Sequence, residues 1–150
     1  MAGERKMHVA DILKAKGNNV ATIRPDTSIR SAAQRLKIER VGALVVSENG
    51  NSVDGILSER DIAYGFAEHG SAILEHNVSD LMTRGVIHCV PQDSIAHVAK
   101  VMTQRRIRHL PVMEGHNLIG IVSIGDVVRY RLDELELEAN VLRDYATVRH

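Results

Sequence analysis

Tryptophan is absent from this chain of 150 residues, and its other aromatics amount to one phenylalanine and three tyrosines. Proteins that bind single-stranded nucleic acid stack bases on aromatic rings, so that class lacks its platform here. Net charge is missing too, because 19 basic residues are matched by 19 acidic ones. The balance holds in each half, with ten of each sign in 1–75 and nine of each in 76–150. Nonspecific duplex binding needs a cationic excess, which disfavours generic nucleic-acid binding. Cys89 is the only cysteine, so no internal disulfide forms and a reducing compartment fits best. It sits in the apolar, strand-like run Val86-Ile87-His88-Cys89-Val90, where a buried and inert thiol is expected. No stretch approaches the length of about 20 apolar residues that a membrane span needs. Residues 1–8 carry charges but no apolar core of a signal peptide. The expectation is a soluble, cytoplasmic protein.

The motifs of common chemistries are also missing. There is no Gly-x-x-x-x-Gly-Lys-Ser/Thr loop, no Gly-x-Gly-x-x-Gly, and no Gly-x-Ser-x-Gly elbow around Ser58 or Ser123. The eight histidines are scattered without metal-ligand spacing, and His109 and His116 lack close Cys or carboxylate company. No catalytic constellation appears, so no enzymatic activity and no metal site are expected.

What the chain does have is a duplication. Gly55-Ile56-Leu57-Ser58-Glu59-Arg60-Asp61 returns as Gly120-Ile121-Val122-Ser123-Ile124-Gly125-Asp126. A Pro-x-x-Ser-Ile precedes each copy, at Pro25 to Ile29 and Pro91 to Ile95. Between these landmarks, Arg40-Val41-Gly42-Ala43-Leu44-Val45-Val46 aligns with Arg106-Ile107-Arg108-His109-Leu110-Pro111-Val112. The leads agree as well, Val9-Ala10-Asp11-Ile12 with Val78-Ser79-Asp80-Leu81. A single supersecondary unit must bury its apolar face against its twin, and a cleft between twins is where a ligand would sit. Each half alone is marginal in size, so one two-lobed domain is expected. The divisions are a tail at 1–8, repeats at 9–75 and 76–132, and a C-terminal helical extension at 133–150.

Each repeat reads as β-α-β-β-α, an α/β (α+β) unit. Strands are expected at 20–23 and 86–90, each followed by proline and a helix start. Side-chain oxygens of Asp26-Thr27-Ser28 and Asp93-Ser94 are placed to cap those starts. Ile29, Ala32, Ala33 and Leu36, and likewise Ile95, Val98, Ala99 and Met102, recur at helical spacing. Two strands joined by a turn come next, 43–47 and 53–57, then 107–113 and 118–122. A second helix follows Ser58 and Ser123. The last one is long, and Val128, Leu132, Leu135, Ala139, Leu142 and Ala146 alternate by four and three along it. This stripe either folds back on its own domain or meets another subunit.

Two groups of residues have chemical potential. Ser58 with Asp61, and Ser123 with Asp126, form Ser-x-x-Asp at a strand-to-helix junction. A capping box by itself accounts for that pattern. The same geometry suits a nucleotide, since a helix N-terminus attracts phosphate and a carboxylate one turn in accepts both hydroxyls of a ribose. Recurrence in both repeats adds weight to the ligand reading. The second group is Arg105, Arg106, Arg108 and His109, of which Arg105 reads as a solvated helix end. Arg108 and His109 begin a strand, and alternation predicts that they cannot both serve one wall of one pocket. The first repeat has small Gly42 and Ala43 there, so basic groups of the second would reach toward a phosphate near Ser58. Arg60 would add a charge-assisted contact.

These paired Gly-Ile-(Leu/Val)-Ser-x-x-Asp segments, with Arg-Ile-Arg-His-Leu-Pro-Val, resemble a tandem pair of cystathionine-β-synthase (CBS) domains, a free-standing Bateman module spanning about 9–132. The resemblance implies adenosyl-ligand binding between the repeats, with Asp61 and Asp126 holding ribose hydroxyls and Ser58 and Ser123 nearby. It maps backbone contacts to adenine onto Thr22 and Val86, and phosphate contacts onto Arg108 and His109. It further implies a homodimer that regulates a partner protein. The repeats depart from symmetry, with Gly125 in place of Arg60 and Gly42-Ala43 in place of Arg108-His109. The Asp61 site is therefore expected to take a phosphorylated nucleotide, and the Asp126 site to be weaker or differently filled. The leading expectation is a non-enzymatic energy sensor binding AMP, ADP or ATP. The alternatives are a sensor of NAD(H) or S-adenosylmethionine, or an assembly module whose clefts stay empty.

Overall fold

In a computed structural model, residues 6–17 and 19–148 are described. Helix α1 (Val9–Lys16) leads the first repeat, which continues through β1 (Thr22–Ile23), α2 (Ile29–Glu39), β2 (Ala43–Val46), β3 (Gly55–Ser58) and α3 (Glu59–His69). A 3-10 turn (Gly70–Glu75) leads to α4 (Val78–Leu81), α5 (Ile95–Arg105), β4 (His109–Glu114), β5 (Asn117–Ser123) and α6 (Ile124–Val148). Local chemistry sets the helix starts. Ser28 accepts a hydrogen bond from the Ser31 amide and Ser94 from the His97 amide, capping α2 and α5 as expected. The anticipated apolar faces are inward: Ile29, Ala32 and Leu36 in α2, and Ile95, Val98 and Met102 in α5, are buried.

In the first repeat β1 runs parallel to β2, and β2 antiparallel to β3, with Ala43 opposite Ser58 and Val46 opposite Gly55. The second repeat has only the β4–β5 hairpin, with His109 opposite Ser123. The strand expected at 86–90 does not form, and a single parallel bridge from Cys89 to Val112 stands in its place. Upstream, Thr83 bridges to Ile56 of β3. Gly85 follows with a left-handed backbone at φ 65, and the chain meets β4 only at Cys89, which donates to Pro111 O and accepts from Met113 N–H.

The two repeats exchange their leads. Val9, Ile12 and Leu13 of α1 lie in the core built from α5, β4, β5 and α6, while Val78 of α4 and Met82 beside it lie in the core of the first repeat. Backbone bonds fix both exchanges. Val9 N–H donates to Asp93 O and Ile95 N–H to Met7 O, matched by Val78 N–H to Thr27 O and Ile29 N–H to His76 O. Each core is completed by a helix from the other half of the chain, so neither half can bury its apolar face alone. Cys89 is buried, and burial, with Asp93 nearby, pushes its thiol up to about 12. The burial is as anticipated, and it disfavours the reactive thiolate. No helix among the described residues is long and apolar enough to cross a membrane.

Candidate functional site

A cavity of about 310 Å³ opens between the repeats. One wall is the β3–α3 junction, with Ser58, Glu59, Arg60 and Asp61; the facing wall is Arg106, Ile107, Arg108 and His109. Thr83, Gly85, Val86 and Ile87 close the third side. Six of the nine anticipated residues thus meet here: Ser58, Arg60, Asp61, Val86, Arg108 and His109.

The junction is a complete capping box. Ser58 Oγ accepts from Asp61 N–H at 3.2 Å, and Ser58 N–H donates to Asp61 Oδ2 at 2.8 Å. That leaves Oδ1, which accepts only a long 3.4 Å contact from the Thr83 hydroxyl. Capping and ligand holding are therefore compatible, since one carboxylate oxygen closes the helix and the other remains to accept hydroxyls. The α3 N-terminus adds positive potential at the same wall.

Arg108 and His109 line the same cavity, contrary to the alternation argument. Arg106, the cap residue of α5, is left-handed at φ 55, and the strand starts only at His109. Arg108 lies ahead of the pleated backbone, so the opposite-faces rule does not reach it. His109 extends across to the first repeat, its ring 3.4 Å from where a side chain on Gly42 would begin. The small residue at 42 is what admits it. Arg106, a member of the basic group for which no specific ligand contact is expected, also lines the cavity, and Thr83 falls between the duplicated landmarks, where no motif points to it.

The other three residues are elsewhere. Thr22 pairs with Val45 in β1 and does not line this cavity. The register explains the mismatch: Ile23 opposes Val46 as Cys89 opposes Val112, so Val86 corresponds to Val20, two residues before Thr22. Ser123 and Asp126 form the twin capping box, with Ser123 N–H donating to Asp126 Oδ2 at 3.0 Å. There, however, Lys16 Nζ sits 2.7 Å from Asp126 Oδ2 and also donates to Ile121 O at 3.0 Å. Arg129 stands 3.9 Å from Oδ1. Burial would raise the Asp126 carboxyl, but hydrogen bonds from Lys16 and the Ser123 backbone outweigh it and hold the group below the usual carboxylate range. Lys16 belongs to an extra turn of α1, which runs eight residues where its counterpart α4 runs four.

His109 lies between the two junctions. Burial lowers its pKa from the ordinary 6.5, helped by Lys16 and Arg108 and opposed by Glu59 and Asp126. A lowered folded value means that the unfolded chain binds the proton first as pH falls. Stability is accordingly expected to drop from about pH 6.5 downward, until the folded value is passed. Urea melts of wild type and His109→Gln at several pH values check this, and an unchanged slope in the variant would rule it out. Among the described residues, no three His, Cys, Asp or Glu side chains gather to hold a metal ion.

Comparison with known proteins agrees with this architecture. The family profile of the CBS domain matches twice, at residues 9–68 and 78–133. The mitochondrial CBS domain-containing protein CBSX3 of Arabidopsis thaliana is 32% identical over 152 residues, covering 96% of this chain and 74% of that protein. The crystal structure of a CBS-domain protein from Agrobacterium tumefaciens (ATU1752) superposes with a TM-score of 0.81 at 42% identity, covering 83% of this chain and 99% of that one. The CBS domain pair of protein MJ0100, solved with 5′-methylthioadenosine and S-adenosyl-L-methionine, gives a TM-score of 0.75 at 27% identity, covering 86% and 98%. With two matched copies that span most of its length and exchange their lead helices, this chain belongs to the CBS-domain family, as a tandem CBS pair.

Proposed function

We propose that this CBS pair is a non-enzymatic sensor that binds an adenine nucleotide of the AMP, ADP or ATP class in the cleft between Ser58–Asp61 and Arg106–His109. The carrying observation is that one cavity joins a helix N-terminus, a carboxylate oxygen with only a long contact, three arginines and a histidine, drawn from both repeats. Asp61 Oδ1 would accept the ribose hydroxyls. The α3 N-terminus with Arg60, Arg106 and Arg108 would take the phosphates. Val86 and Ile87 would flank the base. A volume near 310 Å³ lies within the range of ligand pockets.

A ligand touching both repeats would favour one arrangement of them, and so shift the contacts of a homodimer with the protein it regulates. The lone, buried cysteine suits a reducing compartment, and we place the sensor in the cytoplasm. The MJ0100 complex favours a second reading, in which S-adenosylmethionine or a relative is the ligand. The three arginines favour phosphate.

A thermal-shift panel with AMP, ADP, ATP, NAD, NADH and S-adenosylmethionine decides between them. Ligand at a hundredfold excess over Kd stabilises by about 2.7 kcal/mol. The expected result is a rise in Tm with a phosphorylated nucleotide, lost in Asp61→Ala. A rise with S-adenosylmethionine alone would select the second reading. No rise with any ligand would leave assembly as the function of the chain.

A further inference from the structure

The apolar stripe on α6 does not fold back. The helix buries Val127 and Glu134, the latter accepting from the Met7 amide at 2.7 Å and from Arg131 at 3.3 Å. Val128, Leu132, Leu135 and Leu142 remain 48%, 60%, 44% and 65% exposed. Ala139 and Ala146, which continue the stripe, are exposed as well. The result is an uncovered ridge about 27 Å long beside the face that packs on the domain.

We infer that this ridge is a seam for a second copy of the chain, with the two α6 helices parallel and in register. Spacings of four and three make Leu132, Ala139 and Ala146 the a positions, and Val128, Leu135 and Leu142 the d positions, of a short coiled coil. The flanking charges choose the partner and its direction. In a parallel pair each g residue faces the e residue five positions on in the other helix. Arg131 would then face Glu136 of the other copy, and Glu138 would face Arg143, attractive contacts that the two-fold axis repeats. An antiparallel pair of equal overlap sets e against e and g against g. It would place Arg129 against Arg143, Glu136 against Glu136 and Glu138 against Glu138, all repulsive. The same ridge thus accepts its own copy in one direction and rejects it in the other. Leucine at d fits a two-stranded pair, and alanine at a lets the helices approach closely.

The inference rests on the homodimer reading only for the number of copies, and cysteine cross-linking separates the two. In a parallel, in-register seam each d residue meets its own equivalent. Under mild oxidation Leu135→Cys and Leu142→Cys are expected to convert most of the full-length protein to disulfide-linked dimer. Leu137→Cys, off the ridge, is expected to stay uncoupled. Native Cys89 does not compete, because it is buried with its thiol pushed up to about 12. Leu135→Glu is expected to raise the dimer dissociation constant at least tenfold in sedimentation equilibrium, with the helix content unchanged because position 135 faces solvent in the single chain. A wild-type dimer without cross-links at 135 and 142 would overturn the seam and leave the homodimer standing. Coupling of Leu135→Cys with Ala139→Cys in preference to itself would overturn the parallel direction. A monomer at all concentrations would overturn both, and none of these results touches the ligand panel.

Discussion

Gly55→Ala is expected to lower Tm by roughly 2–12 °C and to abolish the proposed nucleotide-induced stabilisation in the same step, reflecting an overpacking cost of about 1–3 kcal/mol. A Cβ at position 55 would stand 2.7 Å from the carbonyl oxygen of Thr83 and 2.9 Å from Met82 Sδ. The first neighbour is backbone and cannot rotate aside. That carbonyl accepts from Ile56 N–H at 3.0 Å, and Thr83 N–H donates to Ile56 O at 2.8 Å, so retreat breaks the bridge between β3 and the segment after α4. Thr83 also contacts Asp61, and Gly85, Val86 and Ile87 follow it as the third wall of the cavity. Stability and binding are therefore lost together. Gly120→Ala is the control from the twin. Its new Cβ would meet Leu13 Cδ2 at 2.5 Å, a side-chain end and not backbone, away from the Asp61 cavity. A smaller drop in Tm, with the nucleotide shift retained, is expected there. Equal losses of both properties in the two variants would refute this account.

On the proposal that the Asp61 cleft holds one nucleotide per chain, Lys16→Met is expected to raise the stoichiometry to two, the second event being the weaker. In the wild type the ammonium at 2.7 Å occupies the Asp126 oxygen that a ligand hydroxyl would need. Methionine keeps the apolar stem without the charge. The uncovered junction would offer the Ser123–Asp126 box but no equivalent of Arg60, Arg108 or His109, since Gly125, Gly42 and Ala43 stand at those places. Its phosphate hold would be weaker for that reason. Calorimetric titration reads both events, and Lys16→Met with Asp126→Ala should return the count to one. A single event in Lys16→Met would mean that the lysine is not what keeps a nucleotide from the Asp126 junction.

The same substitution has a stability signature. The Asp126 carboxyl is depressed in the folded chain, so its contribution is present above the unfolded value near 3.9 and disappears as pH falls through the folded value. Lys16 is over a third exposed and the pair is partly screened, so the contribution is on the order of 1 kcal/mol. Lys16→Met should flatten that acid limb.

Much of this was legible without coordinates, and what was legible is local. The serine caps at Ser28 and Ser94, the two Ser-x-x-Asp boxes, the buried faces of α2 and α5 and the buried Cys89 all follow from interactions within a few residues or from helical period. The duplicated landmarks carried the resemblance to the CBS family, because each recurs in order. Period also found the α6 stripe, yet it could not say whether the stripe was covered, because coverage depends on where the rest of the chain runs.

The sequence by itself determined two homologous α/β units, their caps, their apolar faces and the pair of carboxylate junctions, since these rest on short-range hydrogen bonding and on the period of the backbone. The tertiary structure alone decided that the lead helices trade places and that Thr83 bridges to Ile56 of the first repeat. It alone brought Arg108 and His109 into one cavity and laid Lys16 on Asp126. Each of these outcomes joins residues tens of positions apart, and is settled by which surfaces fit once the two cores close on each other, a competition that no local pattern encodes.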